Sequence, residues 1–477
     1  MQDSAKIPLT TKVFYGAGSI ATGVKETAFN VFLLFFYTQV AGLPGGLAGT
    51  AIFIALLIDA ISDPLVGYWS DRLKTRWGRR HPLMYAAAIP MGFAFYLLFH
   101  PPIGAGETQV FAWMLTFAVL VRFAMTFYQV PSTALTAEMT SDYDERTSLS
   151  GFRVLMGWLG GIGFAILAYI VFLAPTADYA DGRLNPQGYE ALSLTGAIMI
   201  VVTILLCSLG THGLIPRLKA ISESGAASTG LLSDFSNMLR NPPFLVLVAI
   251  IFICASGIGF AEVTNLYMFT YFWGLSTEEI ALVTFAALIG TVVAFVTVPI
   301  ASRRYDKRPV GMIGVFILML ANPSLIGLRL LGVLPENGTP ELLGLVCLIA
   351  GIAVFGGVGL TIIFTSMLAD TMDRNELETG QRQEAAYSSA LTFSLKATSG
   401  FGGLVAGFVL QAVDFPPGAE AAEIAPETLS SLGASVAGVI VVFWLFAFLA
   451  FRMYSLSRSE HAAILEQINA KRALTTA

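Results

Sequence analysis

Along this chain, long apolar runs alternate with short polar ones from end to end. Twelve runs stand out, at about 14–41, 47–70, 82–100, 109–136, 150–174, 190–214, 243–273, 278–301, 309–333, 340–369, 384–413 and 428–455. Each is near or above the ~20 residues that carry a helix across a hydrocarbon core. The pattern predicts an all-α membrane protein with twelve transmembrane helices. A linker of mixed character, RLKAISESGAASTGLLSDFSNMLRNPP, separates the sixth run from the seventh. It predicts two six-helix bundles, at about 1–214 and 243–456, joined by a loop at about 215–242 and followed by a tail at about 457–477. Within the tail, SRSEHAAILEQINAKRAL reads as a short amphipathic surface helix.

Composition agrees. Of 477 residues, 55% are hydrophobic and 12% charged, against about 25% charged in soluble domains. That leaves no room for a sizeable soluble domain. The opening MQDSAKIPLTTK lacks the basic and small-residue marks of a signal peptide, so the first run is expected to be the first span. Lys and Arg crowd into alternate loops, DRLKTRWGRRH, SRRYDKRP and the stretch holding Arg217, Lys219 and Arg240, whereas the opposite loops hold Arg183 and Arg329. The excess of positive charge predicts a plasma-membrane (bacterial-type inner-membrane) protein with both termini cytoplasmic. The formal net charge of −5 adds little beside that distribution. Cys207, Cys254 and Cys347 all fall in spans and read as packing residues, not as a disulfide or metal framework.

The candidate chemistry lies in LLIDAISDPLVGYWSD. A carboxylate at the bilayer centre costs roughly 2.5–3.5 kcal/mol even on insertion scales. Asp59 and Asp63 stand four residues apart and so share a helix face. Two ionised carboxylates that close repel, so either one holds a proton or a small hard cation sits between them. Pro64 removes a backbone N–H and frees a carbonyl about one turn earlier. The alternative is that Asp63 caps a kink and Asp59 pairs with a neighbouring basic residue. Other charges inside runs are Lys25 and Glu26 in the first, Arg122 in the fourth, Arg153 in the fifth, Glu262 in the seventh and Lys396 in the eleventh. Such residues are functional-site candidates by default, set against snorkelling for Arg153 and Lys396 and pairing with Lys396 or Lys25 for Glu262.

The loops after the second and eighth runs, GYWSDRLKTRWGRRHP and ASRRYDKRPVG, match in position within their halves. Parallel repeats of this kind place a substrate site between the halves. The arrangement resembles the major facilitator superfamily, which implies two bundles rocking about a central cavity. Glycine-rich stretches at 157–164 and 400–408 would suit close helix packing there. More specifically, FYGAGS, YTQVAGL, DAISDPLVGYWSDRLKTRWGRRHPLM, QVPSTALTAEMTSDYDERTSLSGFR and ADTMDRNELETGQRQEAAYSS resemble the glycoside–pentoside–hexuronide:cation symporter family over essentially the whole chain. The resemblance implies that Asp59 and Asp63 bind the coupling ion, sodium or a proton, with Thr126 and Ser62 as oxygen neighbours. It also implies that Arg153 and Lys396 face the cavity.

Departures from the family pattern bear on the substrate. Where sugar-transporting relatives carry two acidic residues and an aromatic that hold the sugar, this chain has Gly23, Gln129 and Thr133. Glu262, with Asn265 one turn on, stands where sodium-dependent lysophosphatidylcholine symporters, a branch of the same superfamily, carry an acid. The expectation is a cation-coupled symporter of a glycoside, uronide or other polar organic solute, with an amphiphile such as a lysophospholipid as the alternative and a non-transporting sensor as the alternative of another class. DYDERTS (142–148) and DRNELETGQRQE (373–384) are expected to be loops that contact a cytoplasmic gate. No HExxH or GxSxG pattern exists and no His lies mid-run, which argues against an enzyme. Beyond the coupling ion no cofactor is implied. The expected partners are the solute and the bilayer, without nucleic acid, for a chain acting as a monomer.

Overall fold

The computed structural model describes residues 7–73, 75–102, 104–140, 142–215, 241–379, 400–418 and 424–476. Among them the chain is helical, with no strand. The helices are α1 Leu9–Val40, α2 Gly45–Arg72, α3 His81–Leu98, α4 Glu107–Met139, α5 Tyr143–Leu167, α6 Pro186–His212, α7 Pro242–Tyr267, α8 Thr277–Arg304, α9 Lys307–Leu330, α10 Pro340–Thr379, α11 Gly400–Ala412, α12 Pro426–Met453 and α13 Arg458–Thr476. Eleven of the described helices are long and apolar enough to cross a membrane, and α11 is a shorter apolar helix preceded by residues outside the description. So many long apolar helices make this an integral membrane protein.

Several helices begin at a side chain that satisfies one of their first N–H groups. Asn185 and Asn241 cap α6 and α7 ahead of Pro186 and Pro242, and Ser276 and Glu279 form a reciprocal capping box on α8. Outward faces are apolar: Ile289, Val292, Val296 and Ile300 recur every three or four residues along α8 and are all exposed, a stripe suited to lipid.

α1 and α7 end alike. Each widens into a π-helical turn, at Phe36–Val40 and Met268–Phe272, and then reverses through a glycine of positive φ, Gly42 (74°) and Gly274 (61°). The closing bonds match, Ala41 N to Phe36 O and Leu43 N to Tyr37 O in one, Trp273 N to Met268 O and Leu275 N to Phe269 O in the other. This is a structural echo of repetition between the halves.

The chain divides into two compact units, Met1–Ala226 with Gly403–Ile424, and Ala227–Gly402 with Ala425–Ala477. Residues 403–424, expected in the second half, thus group with the first. The reason is glycine packing. A Cβ on Gly45 would come within 2.8 Å of the Gly407 carbonyl oxygen, and one on Gly49 within 3.0 Å of that of Gly403, so these backbones touch only because no side chain intervenes.

Two segments expected as loops are helical. Asp142 caps α5, its carboxylate accepting the Glu145 N–H at 2.9 Å, so 143–148 form the first turns. The aspartate that looked like part of a polar loop is there to satisfy the helix terminus. The described part of 373–384 continues α10 to Thr379, where α13 docks on it through His461 Nε2, 2.9 Å from Asp373 Oδ2, and α9 through Lys307 Nζ, 2.7 Å from Asp370 Oδ1. Beside these groups, burial and the Asp370 carboxylate push the Tyr454 hydroxyl above its ordinary range.

Candidate functional site

α4 organises the polar groups of the first unit. Arg122, Thr126, Gln129, Thr133 and Thr136 are spaced four, three, four and three residues apart, so they form one stripe down a helix that is otherwise apolar. Its first part meets α2. Arg122 Nη1 donates to Asp59 Oδ2 at 3.4 Å, and Thr126 Oγ1 to Asp59 Oδ1 at 3.0 Å. Ser62 completes the group, lying 3.3 Å from Thr126 Oγ1 and donating to the Asp59 carbonyl at 3.0 Å. Arg122 and Asp59 side chains are each 2% exposed. The guanidinium also covers the Phe29 ring, 4.5 Å from its centroid, and Phe29 lies in a π-helical turn of α1, Ala28–Phe32.

Asp63 stands one turn beyond Asp59, half-buried rather than fully buried. The four oxygen-bearing residues expected around an ion therefore lie on two packed helices, and their carboxylate and hydroxyl oxygens suit a hard cation. Among the described residues no group of three His, Cys, Asp or Glu side chains converges on a metal position. Arg122 was expected in the cavity with the solute. It lies instead against Asp59, for an electrostatic reason: away from water a guanidinium and a carboxylate each need the other. Pairing of Asp59 with a basic residue, weighed above as the alternative to an ion, is the contact observed.

The lower part of the stripe meets α5 and α1. Arg153 Nη2 donates to Thr133 Oγ1 at 2.9 Å and Nη1 to the Tyr15 hydroxyl at 3.2 Å. Thr133 passes its own proton to the Gln129 carbonyl at 2.8 Å, which fixes its oxygen as an acceptor for Arg153. Tyr15 bonds the Ser132 carbonyl and reaches Thr136 Oγ1, both at 2.6 Å. Arg153 is thus held by hydroxyls, its donors aimed in a fixed fork. Gln129 Oε1 is buried with no hydrogen-bond partner among the described residues, an acceptor open to a donor from outside. Tyr15, Thr136 and Phe29 were not singled out from sequence. The stripe spacing on α4 would have found Thr136, whereas Phe29 and Tyr15 become visible only when α1 packs on α4 and α5.

Other expected residues lie elsewhere. A Cβ on Gly23 would run into the Gly157 carbonyl oxygen and within 2.7 Å of Gly161 N. Gly23 is therefore a helix-contact residue of α1 against α5, and no acid could replace it there without parting the helices. Lys25 is buried and pairs with its neighbour Glu26 at 2.6 Å, Glu26 being the more exposed. Glu262 is exposed and Asn265 half-buried on α7, in the second unit. Lys396 lies outside the described residues, as does the linker with Arg217, Lys219 and Arg240.

A family model described as MFS/sugar transport protein matches residues 14–458. The chain belongs to that family. It is accordingly a secondary transporter of the major facilitator superfamily, in line with the fold and the family resemblance read from its motifs. Similar members of this family include the isoprimeverose transporter of Lactiplantibacillus pentosus, 25% identical, with 85% of this chain and 81% of that protein covered. A putative glycoside/cation symporter of Escherichia coli (strain K12), YagG, is 25% identical over 98% of this chain and 96% of its own length. Among solved structures, the D-xylose–proton symporter has the same fold, with a TM-score of 0.58 at 16% identity, covering 92% of this chain and 95% of that one. The relatives and structural neighbours named here are transporters.

Proposed function

We propose that this protein is a cation-coupled symporter of a sugar-like polar solute, working by alternating access with both termini in the cytoplasm. The ion, sodium or a proton, would be taken at Asp59, Asp63, Ser62 and Thr126. The solute would be held by Gln129, Thr133 and Arg153. One observation carries the reading. Thr126, bonded to Asp59, is one turn from Gln129 and two from Thr133, which is bonded to Arg153, all on α4. Ion and solute would therefore act on one rigid element, and each would favour the same conformation, which is a coupling free energy between the sites.

A hydroxyl-rich solute suits this lining: the open Gln129 acceptor takes a hydroxyl, and the Arg153 fork takes ring or hydroxyl oxygens. The isoprimeverose and glycoside designations of the relatives point the same way. Nothing in those relatives favours the lysophospholipid or sensor alternatives, and neither is carried forward.

The test is uptake of isoprimeverose and related glycosides into proteoliposomes under an imposed sodium or proton gradient. Asp59→Asn should abolish uphill accumulation while leaving downhill exchange measurable. Uphill transport that survives this substitution would put the coupling elsewhere. No uptake of any glycoside by the wild-type protein would remove the substrate class.

A further inference from the structure

The ion cluster already holds a cation that cannot leave. Arg122 places its guanidinium 3.4 Å from Asp59 Oδ2, buried on α4 and backed by the Phe29 ring at 4.5 Å. Thr126 donates to the other carboxylate oxygen. Both oxygens of Asp59 are thus engaged by donors of the protein itself, one of them permanently charged. We infer that Arg122 is a tethered counter-ion standing in for an alkali cation at Asp59, so that the site excludes sodium and lithium. The inference rests on reading the Asp59 cluster as the transporter's ion site and narrows the choice of ion there.

The physical case is charge and ligand supply together. A sodium ion ligated by Asp59 would share one carboxylate with the guanidinium, a like-charge approach of about 5 Å. At that separation, in surroundings with an effective dielectric near 20, two like charges weaken binding by about two to three decades. Sodium would also have to recruit Asp59 Oδ2 from Arg122 or do without it, and a hard cation wants clustered oxygens. Shielding by solvent is slight, since both partners are 2% exposed. Phe29 blocks an easy retreat of the guanidinium, because leaving would forfeit a ring contact worth more when desolvated. Of the two coupling ions considered above, this leaves the hydrogen ion.

The experiment reads ion binding without solute. Purified full-length protein in detergent is melted in sodium chloride and in choline chloride at matched ionic strength. Wild type should show no sodium-specific rise in melting temperature. Arg122→Gln should gain one, saturable and shared with lithium, and Asp59→Asn/Arg122→Gln should lose it again. Two results overturn the inference: a sodium-specific rise in wild type that Asp59→Asn abolishes, or a folded Arg122→Gln protein that stays silent to sodium. If Arg122→Gln fails to fold, wild type against Asp59→Asn still decides: a sodium-specific rise that the substitution removes overturns the inference, and no such rise supports it. Solute accumulation does not enter these readings. Failure here leaves symport standing, and failure of glycoside uptake leaves the ion result readable.

Discussion

Breaking the Asp59–Arg122 pair one side at a time should cost far more than removing both sides. At 3.4 Å and an effective dielectric of about 20, the gross attraction is about 5 kcal/mol. Much of it is offset by the cost of withdrawing both charges from water, so the net worth of the pair is smaller. A single substitution leaves the partner charge buried with nothing to offset it, at a cost of about 3–5 kcal/mol. Asp59→Asn and Arg122→Gln should each lie in that range. The double variant, Asp59→Asn/Arg122→Gln, replaces a charged pair by two amide groups of similar size. It should cost about 3 kcal/mol less than the sum of the singles. Reversible unfolding in mixed micelles, titrated with SDS, measures all four corners of the cycle. Additivity within about 0.5 kcal/mol would refute the pairing as an energetic unit. Thr126→Val, which removes only the neutral donor to Asp59 at 3.0 Å, should cost about 1–2 kcal/mol.

Three further expectations test other parts of the structure. Gly23→Ala pushes a methyl into the Gly157 carbonyl and should destabilise the first unit by about 1–3 kcal/mol, while Gly163→Ala, with open space around it, should be tolerated; melting temperatures compare the two. Arg153→Lys keeps the charge but loses the fork to Thr133 and Tyr15, so solute affinity should fall about tenfold with little change in melting temperature, read by substrate-induced stabilisation. The Glu145 carboxyl is held below its ordinary range, first by the hydrogen bond from Lys12. A depressed carboxyl stabilises the fold above its unfolded pKa and loses that contribution as pH falls through the folded value. Lys12→Gln should therefore flatten the acid limb of the stability–pH curve, and an unchanged limb would rule the pair out as its source.

Much of this protein could be read from the chain. Ten of the twelve apolar runs coincide with described helices to within about seven residues at either end, because a segment that must satisfy its own backbone in lipid has to be long, apolar and helical. The exceptions are instructive. α10 runs on through Asp370 and Asp373, where acidic residues looked like a loop but continue the helix to meet Lys307 and His461. The Asp142 stretch looked like a loop for a related reason: a capping carboxylate and a loop carboxylate are the same residue type until the neighbouring N–H is seen.

The site divides in the same way. Sequence alone determined that charges lie within the apolar runs and that Asp59 shares a helix face with Asp63, since each of these follows from residue type and helical spacing. Only the tertiary structure decided what those charges touch. Gly23 became a contact against Gly157, Lys25 turned to Glu26, and Arg122 came to Asp59. The reason is that membrane insertion acts on one helix at a time, whereas the partner of a buried charge is fixed by which neighbouring helix packs close enough to bring an opposite charge or a hydroxyl within about 3 Å.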